Sequence, residues 1–408
     1  MESGQPSSPR LVRRLTLAHA VLYGVGVTIG AGIYVLVGVA AGRSGMYAPL
    51  GFLAAAMAMG LTAASFAELG TRMPVSASEA AYVQAAFRRR WLSLVMGLVV
   101  VATAVVSAAT ISAGSVSYIG VFVPLPAPLL ILAVVVLTGI IAGLATTQSI
   151  AFAGIMTLIE VGGLLLIIGA GFAAGPEIVQ RLPEMIPGAD AAAWMSLGGT
   201  TLIAVFAFIG FEHIVNIAEE MKEPSRTLPR ALFVTLTVTA LLYMLVIWIS
   251  VTAVPPAELA RSPAPLALVF ERLTGAPLVT MSAIAIVATL NGVVVHMIMI
   301  ARVLYGMARQ GLLPRQLGTV SPVTGTPLIT TGIAVMAILV LALALSLGGL
   351  ADLAARGTLV IFAIINLALI WIRRAETVVP TGVFVCPVWV PYAGLASTVT
   401  LLAADIVS

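Results

Sequence analysis

Charge is what this chain has least of. Only 9% of its 408 residues are Asp, Glu, Lys or Arg, against about 25% in a soluble protein. With 61% of residues hydrophobic, there is too little polar surface to wrap a water-soluble domain. Lysine is almost missing: Lys222 stands beside nineteen arginines. The net charge of +4 is too small to argue for a nucleic-acid partner. Cys386 is the single cysteine, which excludes an intramolecular disulfide and a cysteine metal cluster. The three histidines are His19, His213 and His296. His213 and His296 lie within spans, without partners at metal-ligand spacing, and read as hydrogen-bonded structure. There is no P-loop, no His-Glu-x-x-His and no Gly-x-Ser-x-Gly, and Gly24-x-Gly26 does not follow a strand. Nothing here points to an enzyme, a metal or a cofactor.

What is present is long apolar runs. A spanning helix needs about 20 mostly apolar residues. Eleven such segments are expected: 17–42, 47–70, 91–118, 127–145, 149–173, 194–218, 229–252, 277–306, 327–347, 353–372 and 383–404. The chain is therefore read as an all-α polytopic membrane protein in a lipid bilayer. Met1 to Arg14 is polar and basic, and residues 1–16 are expected to be a cytoplasmic N-terminal segment rather than a cleavable signal peptide. Two stretches, Gly175–Ala193 and Val254–Ala276, read as longer loops rich in Pro and acidic residues.

Basic residues favour the cytoplasmic side. With the N-terminus inside, Arg10, Arg13, Arg14, Arg72, Arg88, Arg89, Arg90, Lys222, Arg226, Arg230, Arg302, Arg309, Arg315, Arg373 and Arg374 fall inside. Arg43, Arg181, Arg261, Arg272 and Arg356 fall outside. The count is 15 against 5, so a multi-pass protein of the cell (inner) membrane with a cytoplasmic N-terminus is expected.

Two spans are interrupted. Gly30-Ala31-Gly32 sits in the middle of the first, and Phe206-Ala207-Phe208-Ile209-Gly210-Phe211-Glu212 in the sixth. Glycine weakens a helix interior, and in lipid any freed backbone group needs another partner. Interrupted spans at matching positions of two halves point to a transporter binding site. Five spans per half, 17–173 and 194–372, invert the second half relative to the first, with 383–404 as an additional helix. A zwitterion held at such a break meets N–H groups at Gly30, Ala31 and Gly32, suited to a carboxylate. It meets carbonyls at Ile29, Phe206, Ala207 and Ile209, suited to an ammonium. The competing reading of the small residues is tight helix packing.

Four motifs then resemble the amino acid–polyamine–organocation superfamily. They are Gly26-Val27-Thr28-Ile29-Gly30-Ala31-Gly32-Ile33-Tyr34, Ala67-Glu68-Leu69-Gly70-Thr71-Arg72-Met73-Pro74, Phe206 to Glu212 with Glu219 to Arg230, and Ala301 to Pro314. The resemblance implies a five-plus-five inverted-repeat (LeuT-like) fold with helices 1 and 6 unwound at the midplane. It also implies a secondary carrier of amino acids or related amines working by alternating access. Proton-coupled symport is expected, with an amino acid/polyamine exchanger or a sodium-coupled carrier as alternatives. A channel, a membrane scaffold and a membrane enzyme are further alternatives. The resemblance makes Phe206 a candidate lid over substrate; a core phenylalanine is the other reading.

Glu160 lies near the middle of its span. It follows Ile155-Met156-Thr157-Leu158-Ile159, where the branch most resembled often has a lysine. Ionisable groups at membrane depth are costly and mark function by default. Glu160 is the first candidate for coupling to H⁺, or to Na⁺, and Glu212 the second. The alternatives are a structural carboxyl at Glu160 and a helix cap at Glu212. Glu68 reads as a structural acid paired with Arg72 at i+4. The charges from Glu219 to Arg230 read as a cytoplasmic loop or a gating salt bridge. No acid is securely placed for a cationic side chain, which favours neutral substrates.

Overall fold

The computed structural model describes residues 15–29, 32–75, 78–144, 150–175, 177–376, 378 and 380–407. Gly30 and Ala31, and with them Arg10, Arg13 and Arg14, lie outside the described residues. In chain order the helices are α1 (Leu17–Ile29), α2 (Gly32–Ser44), α3 (Ala48–Arg72), α4 (Ser78–Phe87) and α5 (Arg90–Ile119). Then come α6 (Ala127–Leu144), α7 (Ile150–Ala173), α8 (Glu177–Gln180), α9 (Ala191–Phe208) and α10 (Pro224–Ala253). The remainder are α11 (Pro256–Arg261), α12 (Pro265–Thr274), α13 (Leu278–Arg309), α14 (Leu328–Ala344), α15 (Leu347–Ala375) and α16 (Trp389–Val407). Phe211–Glu220 is a 3₁₀ helix. The β pairing among the described residues is one isolated bridge, Leu15 to Met221.

Among the described residues, eight helical segments are long and apolar enough to cross a membrane, with α2 and α3 counted together as Gly32–Arg72. Shorter apolar helices are Leu17–Ile29, Leu328–Ala344 and Trp389–Ala404. Each apolar segment expected from the sequence coincides with one or two of these helices. The two stretches expected as loops differ from expectation. Val254–Ala276 contains α11 and α12, and Gly175–Ala193 contains α8 and a 3₁₀ turn at Leu182–Met185. Proline at the first turn starts α11 and α12, where its missing N–H costs nothing. Leu259 of α11 and Leu266, Ala267 and Val269 of α12 are buried, so these pieces dock by a short apolar face. α15 also begins earlier than the expected residue 353, because Ser346 caps it by accepting from Gly349 N at 3.2 Å.

Aromatic rings position the second interruption. Phe52 of α3 lies 6.5 Å from Phe208 and 6.0 Å from Tyr243 of α10. On the other side, Phe66 of α3 lies 6.4 Å from Phe211, and both face Phe362 of α15 at 5.5 and 5.6 Å. Two ring clusters thus grip the chain just before and just after Gly210.

Ion pairs fasten the two ends of α15, the one at Glu68 buried and the one at Asp352 partly exposed. Glu68 is fully buried and accepts from Arg72 Nη2 at 2.7 Å, Arg373 Nε at 2.9 Å and Cys386 N at 2.9 Å. Arg72 also pairs with Glu376. Arg373 Nη2 meets the second Glu68 oxygen as well as the Cys386 carbonyl, the latter at 2.6 Å. At the other end, Arg43 of α2 bonds Asp352 at 2.8 Å and the Gly199 carbonyl at 3.1 Å. Arg72 and Arg373, expected on one side of the membrane, therefore stand together. Arg43, expected on the other, stands at the opposite end of α15. The pairing of Glu68 with Arg72 is as expected; Arg373 is the partner the i+4 spacing does not reveal.

Glu68→Gln leaves two arginines without their shared counter-charge. Breaking a buried pair from one side costs about 3–5 kcal/mol. The purified variant should melt well below the parent protein in a thermal-unfolding assay; an unchanged melting temperature would show the cluster to be dispensable.

Candidate functional site

The interruption after α9 packs against the residues on either side of Gly30 and Ala31. α1 is described to Ile29 and α2 from Gly32, and Gly30 and Ala31 between them lie outside the described residues. α9 stops at Phe208, and Gly210 follows with φ +123°, a conformation that side chains disfavour and glycine tolerates. A Cβ on Gly210 would lie 2.8 Å from the Val27 carbonyl oxygen. A Cβ on Gly32 would lie 2.8 Å from the Ala207 carbonyl oxygen and would overlap the Ala207 Cα. Gly32 and Gly210 thus each sit where another helix's backbone leaves no room for a side chain.

Of the residues expected to bind substrate, Ile29, Gly32, Phe206, Ala207, Ile209 and Gly210 are all buried around this crossing. Gly30 and Ala31 lie outside the described residues. The Phe206 carbonyl accepts from Ile209 N at 3.1 Å. Phe206 is itself only 3% exposed.

Tyr243 of α10 is the residue that sequence reasoning missed. Its hydroxyl lies 2.8 Å from the Thr28 carbonyl oxygen and 3.0 Å from the Ala207 carbonyl oxygen. One O–H donor is thereby shared between a carbonyl of α1 and a carbonyl of α9. A lone tyrosine in an apolar span is the available signal, since a buried phenol usually finds a partner.

Glu160 of α7 is fully buried. Its Oε1 accepts from Asn291 Nδ2 of α13 at 2.9 Å. Its Oε2 is buried without a hydrogen-bond partner among the described residues. Its backbone carbonyl accepts from the Tyr34 hydroxyl at 2.6 Å, and the Tyr34 carbonyl accepts from the Tyr118 hydroxyl at 2.5 Å. Tyr34 belongs to α2, so Glu160 is tied to the first interrupted span through its main chain. Asn291 was also missed; an amide in an apolar span is its only mark.

Glu212 takes a capping position: its Oε2 accepts from Gly210 N at 2.9 Å. The charges around Glu223 and Arg226 form an exposed pair at 3.8 Å.

The chain matches the amino acid permease family over residues 15–407. It belongs to that family. Within the amino acid–polyamine–organocation superfamily, this permease is 31% identical over 402 residues to an Arabidopsis thaliana protein named Cationic amino acid transporter 2, vacuolar. That alignment covers 91% of this permease and 61% of the relative, so the chain spans less than two thirds of that relative's length. It is 29% identical to the Branched-chain amino acid permease BcaP of Bacillus subtilis, covering 94% of this chain and 85% of the relative. It is 28% identical to the Methylthioribose transporter of the same organism, covering 91% and 84%. The permease is thus a multi-pass membrane protein of a transporter family.

Tyr243→Phe removes the donor shared by the Thr28 and Ala207 carbonyls. An unmet buried acceptor costs about 1–3 kcal/mol. Thermal unfolding should report a loss of that order, and no loss would mean that the hydroxyl does not hold the crossing.

Proposed function

We propose that this permease is a secondary active transporter of α-amino acids, built as a five-plus-five inverted repeat. Residues 17–173 form one repeat and 194–372 the other, with 383–404 as an additional helix and the N-terminus in the cytoplasm. The observation that carries this reading is the crossing of the two interrupted helices, with Gly32 against Ala207 and Tyr243 bridging Thr28 and Ala207. An amino acid needs a donor cluster for its carboxylate and an acceptor cluster for its ammonium. Interrupted helices offer both from main-chain groups at membrane depth. Gly30, Ala31 and Gly32 supply the donors in this reading, and Ile29, Phe206, Ala207 and Ile209 the acceptors, with Gly210 shaping the turn. The family and the names of two of these relatives, the cationic amino acid transporter and the branched-chain amino acid permease, support amino acids as the substrate class.

Glu160 is the coupling group in this reading and the proton its ion. A buried carboxyl with one oxygen engaged and one unpartnered among the described residues is suited to gaining and losing a proton. Glu212, which caps Gly210, is the second coupling carboxyl.

Reconstituted in liposomes, Glu160→Gln should lose accumulation driven by an imposed pH gradient while keeping counterflow of substrate. Unchanged gradient-driven accumulation would rule out Glu160 as the coupling group. Loss of counterflow as well would show that Glu160 serves the substrate site or the fold instead.

A further inference from the structure

A polar cluster beside the second interruption is used neither by substrate recognition nor by Glu160. Glu212 and His213 are neighbours on the 3₁₀ helix, with Glu212 Oε1 3.8 Å from His213 Nε2. His296 of α13 faces His213 edge-on, ring centres 6.0 Å apart. His296 Nδ1 meets the Gly292 carbonyl at 2.8 Å. That leaves His213 Nδ1, His296 Nε2 and Thr358 Oγ1 buried without partners among the described residues. His213 is 6% and His296 2% exposed. All of these residues line one cavity of about 20 Å³, together with Glu79, Thr103 and Ser107. That volume admits about one water molecule.

Unpartnered buried nitrogens are rare and call for an explanation. A metal ion is a poor one, since no three His, Cys, Asp or Glu side chains among the described residues converge as a ligand set. A proton is a better one. A lone buried carboxylate or a lone buried imidazolium is costly. One proton added to a carboxylate and neutral imidazoles leaves the group with no net charge, wherever the proton rests.

We propose that Glu212, His213 and His296 form a proton-binding site that holds one proton among them across this cavity. The proton comes from water and returns to water; only an N–H or O–H bond forms and breaks. Because Glu212 Oε2 also holds Gly210 N, loading the site is felt directly at the interruption. Charged and titratable groups also stand on the neighbouring elements. Glu79 of α4 lines the cavity, and Tyr23 of α1 lies in the field of Glu212, Glu220 and Arg302. On α3, Glu68 is paired with Arg72 and with Arg373. On α10, Tyr243 is engaged at the helix crossing. The polar groups that α5 and α15 add to the cavity wall are hydroxyls. The site stands apart from the substrate reading, because proton binding can be observed directly.

With three histidines in the chain, selective ¹⁵N-histidine labelling gives a readable solid-state NMR spectrum of the reconstituted permease. His213→Asn and His296→Asn assign the rings, and the spectrum is followed from roughly pH 5 to pH 8. The expected result is that the His213 and His296 ring signals change together in one step. Glu212→Gln should abolish that step or move it by about a pH unit or more, leaving the His19 signal as in the parent protein. Rings that stay in one fixed state throughout, or that titrate independently of each other and of Glu212, would overturn the proposal.

Discussion

In hydrocarbon a backbone N–H or C=O released from a helix has no water to turn to. That constraint governs this permease. α9 ends inside the protein at Phe208, and its end packs against α1 and α2. Gly32 and Gly210 let the two backbones come within contact, and Tyr243 donates to carbonyls from both. The aromatic clusters from α3 then hold the second interruption from either side. Making either helix continuous would remove the exposed main-chain groups on which the proposed recognition depends.

Buried charge follows the same logic. Glu68 is surrounded by donors from α3, α15 and the segment before α16, so it is fastened and serves architecture. Glu160 and Glu212 each have an oxygen engaged by a neutral donor, an amide in one case and a backbone N–H in the other. Neither contact locks the carboxyl in its charged form, as two arginines do for Glu68.

The interruption at Gly210 was legible in the sequence because glycine stands out against an apolar helix. The spans were legible for the same reason that hydropathy works in lipid. Glu68 with Arg72 was legible because the pair is four residues apart. Tyr243 and Asn291 were not, since their partners lie 215 and 131 residues away and only folding unites them. His213 and His296 were read as separate structural residues because nothing local links the 3₁₀ helix to α13. The short helices α8, α11 and α12 escaped because proline and acidic residues lower local hydropathy, although proline at a first turn starts a helix.

The central claim is that main-chain groups at the two interruptions recognise the α-amino and α-carboxylate groups of the substrate. The most direct measurement is ligand-induced thermal stabilisation of the purified permease, since binding to the folded state raises apparent stability. The twenty amino acids are screened first, and the best is compared with analogues lacking either the amino or the carboxylate group. The account predicts stabilisation by the intact amino acid and its loss with either analogue. Equal stabilisation by an analogue without one of these groups, its side chain retained, would contradict it.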